Sequence, residues 1–198
     1  MKVSETLGGI LSIVVIILVI YCLFKYIKRQ YLSTKILSKI DNRYYIVRNN
    51  GDTQKSADTL AYINQRIQTL LNYIDQKTDH AEFDKNIKLL RERYNKDSLM
   101  ENIELDNTTY TVNKGESIEF CLATRDSHQE IYDINKLMFV TIHELAHIGC
   151  VSFDHGEEFR KFFPYLVENA IKCGVYKYQD YSKKPEEYCG MTIDQSPI

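Results

Sequence analysis

The sequence predicts an α+β domain carried behind one membrane-spanning helix. Three observations point there. An uncharged apolar run stands at Leu7–Phe24, apolar residues recur at helical spacing in later segments, and short alternating segments are separated by turn residues. The chain has 198 residues, 44% hydrophobic and 26% charged, which suits one folded domain with a small appendage and excludes disorder. Only 8 Gly and 3 Pro exclude collagen-like and low-complexity chains. The charge balance is 25 Lys+Arg against 27 Asp+Glu, a net −2. A chain that holds nucleic acid through its phosphates normally shows a basic excess, so nucleic acid is not an expected partner.

The first element is the apolar run. Its 18 residues, Leu7–Phe24, span about 27 Å as a helix, close to a bilayer's hydrocarbon core. A cleaved signal peptide fits less well. The run is long, its positive charges follow it, and no small-x-small cleavage site appears. A buried helix without any charge fits least. Lys25, Lys28, Arg29 and Lys35 follow the run, while Lys2 and Glu5 precede it. The positive-inside rule then puts a single-pass chain in the membrane with its carboxy-terminal domain on the cytosolic side. Tyr21, Tyr26 and Tyr31 suit that interface. The expected organisation is a short segment 1–6, a span 7–24, a helical stalk 25–42 and a domain 43–198.

Within the domain, Arg43–Arg48 has strand character and Asn49–Asp52 is a turn. Asp58 is placed to cap a helix bearing Leu60, Ile63, Ile67, Leu70, Leu71 and Ile74. Phe83, Ile87, Leu90 and Tyr94 mark the next helix. Residues 103–112 and 117–123 read as strands joined at Asn113–Gly115, a hairpin. Thr124–Asp133 is loop-like, and His80 and His128 lie in polar surroundings that imply solvation. Cys22 falls in the span. Cys121, Cys150, Cys173 and Cys189 show no CxxC pairing, and a cytosolic domain would keep them reduced as small buried hydrophobes. Two disulfides, or a second metal site, are the other readings of these four thiols.

The chemistry lies in Ile134–Gly149, a largely apolar helix that Asp133 can cap and Gly149 can end. It contains His143-Glu144-Leu145-Ala146-His147, an HExxH motif. Histidines four apart share one helical face, so both imidazoles reach one tetrahedral zinc ion. Glu144 beside the first ligand can act as general base toward a water at the fourth position. A catalytic zinc usually takes a third protein ligand. His155 is the expected one, standing at the entrance of an amphipathic helix that begins near Gly156 with Phe159, Phe162, Phe163 and Leu166. Glu157, Glu158 and Glu168 are alternatives, the first two also suiting a helix's first turn. Tyr176, Tyr178, Tyr181 and Tyr188 crowd the tail. The Tyr188 hydroxyl is placed either to stabilise an oxyanion or simply to pack the tail across the domain.

HELAH followed by His155-Gly-Glu-Glu-Phe159 resembles the WLM and SprT-like zinc metallopeptidases. That resemblance implies His143, His147 and His155 as ligands of one catalytic zinc ion and Glu144 as the catalytic base. It covers 134–163 well and, more loosely, a zincin-like metallopeptidase domain over 43–198. It also implies that the strand at 117–123 is an edge strand pairing with extended substrate, and that Thr124–Asp133 lines the cleft. The gap from His147 to His155 is longer than the family's usual one. With its amino-terminal anchor, the short chain resembles small members encoded by large DNA viruses, for which a virion membrane is one location.

The expected function is thus a membrane-anchored zinc peptidase acting on a protein or peptide substrate. The competing reading is a non-catalytic membrane or virion-envelope protein that retains the fold. A zinc hydrolase acting on another bond is a third. A structural zinc site would be closed by a fourth Cys or His, which makes Cys150 the residue to locate.

Overall fold

The amino-terminal apolar run lies in one uninterrupted helix, α1 (Lys2–Leu32). By length and composition Gly9–Leu32 is able to cross a membrane; its most apolar 18-residue stretch has a mean hydropathy of 2.7, and none of that stretch is buried against the rest of the chain. The computed structural model describes residues 2–77, 81–104 and 107–198, of Lys2–Gly8 the backbone alone, so His80 lies outside the described residues.

The helical stalk expected over 25–42 is only half helical. α1 ends at Leu32, and Ser33–Leu37 forms strand β1, antiparallel to β2 (Tyr44–Arg48). Tertiary pairing overrides helical spacing here, because β2 offers an edge and Ser33-Thr34 are poor helix formers. The Ser33 hydroxyl donates to the Arg29 carbonyl and helps end the helix. Lys25 and Arg29 reach forward to Glu104 and Glu119, each at 3.0 Å, so the end of α1 is fastened to the domain.

Helix α2 (Thr53–Asp75) starts earlier than expected. Its cap is Asp52, whose carboxylate accepts the Lys55 amide at 3.0 Å. Asp58 instead accepts the Ser38 hydroxyl and Lys39 amide, tying the β1–β2 turn to α2. The apolar stripe from Leu60 to Ile74 is buried as expected. A 3-10 turn at Ala81–Phe83 leads into α3 (Asp84–Arg93).

Strand β3 (Leu99–Glu101) precedes a hairpin of β4 (Tyr110–Val112) and β5 (Ser117–Phe120), and the five strands run β1-β2-β3-β5-β4. β2–β3 and β3–β5 are parallel; α2 and α3 form the crossover from β2 to β3, and the path from β3 to β5 runs through β4. The hairpin turn and pairing stand as expected, with Tyr110 opposite Glu119, although of the described residues in 103–112 only Tyr110–Val112 is strand. Its edge assignment does not: β5 is internal and β4 is the edge. β3, too short to show a period, occupies β5's other side.

Helices α4 (Ile134–Gly149) and α5 (Glu157–Lys172) follow, and the chain closes with a hairpin of β6 (Glu186–Tyr188) and β7 (Met191–Ile193). α4 packs among α2, α3 and α5 in the main apolar core. Cys121 and Cys189 form a disulfide across 68 residues, against the expectation of reduced thiols. The fold brings them together, and sequence spacing carries no signal of it. Cys22, Cys150 and Cys173 remain free.

Candidate metal centre

The Asp133 carboxylate caps α4 by accepting the Asn135 amide at 2.8 Å. Leu137, Met138, Ile142, Leu145, Ala146 and Ile148 are wholly buried. Each of the Leu, Met and Ile side chains contributes about 1.5–3 kcal/mol by leaving water, so the helix is held rigidly. Its remaining face carries His143 and His147 side by side, with His143 lining a cleft. Gly149 is the last helical residue, and Cys150 after it is extended. The glycine serves close packing and not a left-handed cap: a Cβ there would stand 2.4 Å from Phe162 Cε1 and 3.0 Å from the Asn86 carbonyl.

The loop 150–156 folds back and returns His155 to the helix. Three imidazole nitrogens then meet: His143 Nε2 lies 3.2 Å from His147 Nε2 and 3.1 Å from His155 Nε2, and the last two are 3.0 Å apart. Zinc–nitrogen bonds of about 2.0–2.1 Å in a tetrahedron set nitrogen–nitrogen edges of about 3.3 Å, so the triangle fits such an ion closely. The Phe159 ring packs against all three imidazoles, at 4.5–5.0 Å between centroids. Burial and the two neighbouring histidines push His143 down to about 3, and burial with His155 and Lys114 pushes His147 down to about 4. Both are therefore neutral at pH 7, the state a metal ligand requires. Cys150 is not part of this cluster. It is buried, and burial pushes its thiol up to about 11.

Glu144 is buried at 6% exposure and lines the same cleft as His143 and His155. The Thr111 hydroxyl, on β4, donates to Glu144 Oε2 at 2.8 Å. Burial pushes the carboxyl up to about 7, and the Thr111 hydrogen bonds oppose that.

The His155 loop is fastened from three sides. Glu158 Oε2 accepts the Val151 amide at 2.9 Å, and Glu158 Oε1 accepts Asn86 Nδ2, also at 2.9 Å. Arg93 donates to the Ile148 and Cys150 carbonyls, each at 2.9 Å. Lys114 donates to the His147 carbonyl at 3.0 Å and to the Ser152 carbonyl. These two cations also meet the negative end of the α4 dipole. Glu158 therefore holds the loop and does not reach the histidines. Glu157 pairs with Lys161 and Glu168 with Lys172 along the outside of α5. Tyr188 donates its hydroxyl to the Cys121 carbonyl at 2.8 Å and also meets Thr109 Oγ1. A phenol has one proton to give, so Tyr188 packs the tail and has none left for an oxyanion.

The cleft holds about 750 Å³. Thr124–Asp133 does not line it: Ala123 and Ile131 bridge there, and His128 is exposed. The wall comes from Tyr188 and Met191–Pro197. Sequence reading missed this wall, along with Thr111, Arg93 and Lys114. No local pattern carries the wall, because it depends on contacts across about a third of the chain.

The sequence matches the WLM domain family over residues 81–196. It is 36% identical over 189 residues to an uncharacterized protein of Acanthamoeba polyphaga mimivirus, covering 94% of each chain. It is 28% identical over 165 residues to an uncharacterized protein of Invertebrate iridescent virus 6, covering 79% of this chain and 84% of the other. A third relative, from Invertebrate iridescent virus 3, is 38% identical over 89 residues, 43% of this chain and 52% of that protein. No solved structure matches.

Proposed function

The chain belongs to the WLM domain family, and from that premise we propose that it is a viral, membrane-anchored, zinc-dependent peptidase with a zincin-like domain. The observation that carries the reading is the convergence of His143, His147 and His155 beside a buried carboxylate in an open cleft. One zinc ion held by these three imidazoles would supply Lewis acidity toward a water and the scissile carbonyl. Glu144 Oε takes the proton of the attacking water and returns it to the departing amine. Thr111 orients that carboxylate through its hydroxyl. The Phe159 ring and the clamped loop keep the imidazoles aimed at one point.

The chain crosses the membrane once through α1, with Lys25, Lys28, Arg29 and Lys35 keeping the domain on the cytosolic side. Kinship to virus-encoded proteins makes a virion membrane one such place. The alternative, a non-catalytic envelope protein with the same fold, draws no support from the site. A structural centre has no use for Glu144 and would close on a fourth Cys or His.

The test is a pair of measurements on the full chain. Zinc content and cleavage of an unfolded protein are compared for wild type and Glu144→Gln. Zinc is retained by both, and cleavage falls at least a hundredfold in the variant, roughly the least that general-base catalysis contributes. Equal cleavage by both forms sinks the mechanism, and wild type without zinc sinks the site.

A further inference from the structure

The cleft has two walls of different origin. Phe139 and Val140 on α4, with Phe163 and Pro164 on α5, face it from one side; Met191 and Ile193 on β7 face it from the other. Met191 and Ile193 are two apart on a strand, so they share one face. Met191 is 49% exposed. Arg160 and Asp194 add one charge of each sign and offset one another, leaving Glu144 as the remaining acidic group of the lining. An apolar recess that opens beside His143 and Glu144 is matched to an apolar side chain.

The second wall is built to stay in place. The β6–β7 turn is Cys189-Gly190, with φ of 50° and 80°, the left-handed pair that a tight two-residue hairpin demands. Cys189 is bonded to Cys121 at the end of β5. The Cys189 amide donates to the Tyr132 hydroxyl at 2.9 Å, the Tyr188 hydroxyl donates to the Cys121 carbonyl, and Lys136 pairs with Glu186 at 2.9 Å. A wall pinned at its turn and along β6 presents β7 without further ordering when a ligand arrives.

We propose that the β6–β7 hairpin is the specificity wall of the site. Met191 and Ile193, with Phe139, Val140 and Phe163, form a recess that receives a large apolar side chain of the substrate next to the scissile bond. This rests on the peptidase reading for its substrate class.

The experiment uses the full chain carrying Glu144→Gln, in lipid nanodiscs, with empty nanodiscs subtracted. The probes are fluorescein-labelled peptides of Gly, Ser and Ala with either one Phe or one more Ser at the centre. Fluorescence anisotropy gives each affinity. The Phe peptide binds about tenfold to a hundredfold more tightly than the Ser peptide, the range that burial of one such side chain provides. Ile193→Asp, and Met191→Asp at its exposed position should the first not fold, reduce that ratio to near one. Equal binding of the two peptides, or a ratio unchanged in Met191→Asp, overturns the recess. Wild type is then given the same peptides. Binding with a Phe preference but without cleavage leaves the recess standing and removes the peptidase reading. Cleavage without a Phe preference does the reverse.

Discussion

Replacing Glu158 by Ala tests whether the third histidine depends on its loop. Glu158 Oε2 accepts the Val151 amide at 2.9 Å, with the Ser152 amide further off at 3.3 Å, and Oε1 accepts Asn86 Nδ2 at 2.9 Å. Asn86 Nδ2 also donates to the Gly149 carbonyl, so one carboxylate joins α3, the end of α4 and the loop. Hydrogen bonds to a charged group are worth about 1.5–3 kcal/mol each when shielded from water. Glu158 is only half-buried, so about 1–2 kcal/mol for the set is the reasonable magnitude. If that energy goes into holding His155, zinc affinity falls about 5- to 30-fold. Zinc competition against a chelating dye measures it. Thermal unfolding of the metal-free protein should fall by about 2–8 °C. Burial raises the Glu158 carboxyl, but hydrogen bonds from Ser152, Val151 and Asn86 outweigh it and the net shift is downward. A lowered carboxyl stabilises the fold above the ordinary value of about 4.3, and the contribution is lost as pH falls through the folded value. The wild-type advantage over Glu158→Ala in metal-free protein should therefore be full at pH 6 and vanish in stronger acid. A lower melting temperature with zinc affinity within twofold of wild type would refute the link between loop and ligand.

Four further outcomes are expected. Gly149→Ala overpacks the contact with Phe162 and destabilises the domain by about 1–3 kcal/mol, read by chemical denaturation; an unchanged midpoint contradicts the close approach. Thr111→Val leaves Glu144 without its hydroxyl partner, so kcat falls about tenfold with KM little changed, and Thr111→Ser restores it. Reducing the Cys121–Cys189 bond with dithiothreitol takes two electrons and two protons to give two thiols. It lowers stability by about 4 kcal/mol on the chain-entropy scale for its separation of 68 residues, checked by mass and melting of the alkylated product. Cys150, buried and pushed up to about 11, takes no iodoacetamide at pH 8 in the folded protein but reacts in denaturant.

What the sequence made legible was local. Helix α4 was readable to its last residue because Asp133, the apolar stripe and Gly149 all lie within one continuous segment. The histidine cluster was readable because two of its members share a helical turn and the third follows eight residues later. Strand β1 was not, because Ser33–Leu37 becomes a strand only when β2 pairs with it. Nor was β3, whose Leu99-Met-Glu is shorter than any period. Asp58 looks like a cap and is a tether, since Ser38 and Lys39 reach it only after the β1–β2 turn has folded. Glu158 satisfied the first-turn rule and so concealed its second task. The cleft's far wall is the clearest case: Met191 and Ile193 reach the site only through the hairpin turn, Tyr188 and the disulfide.

That disulfide bears on where the domain resides. On the proposed single-pass topology, the four cations after Phe24 put the domain in the cytosol, a compartment in which thiol pools reduce accessible disulfides. Access decides which disulfides are reduced. Exchange requires a thiolate to reach one sulfur, and Cys121 and Cys189 are 9% and 1% exposed. Reduction of the folded protein is then limited by opening of the β6–β7 hairpin, which Lys136, Tyr132 and Tyr188 oppose. Formation of the bond needs an oxidising route before the hairpin closes, whereas its survival needs only that the hairpin stay closed. The proposed topology and the disulfide are therefore compatible, because the flanking charges would act during membrane insertion and the disulfide is protected by the finished fold.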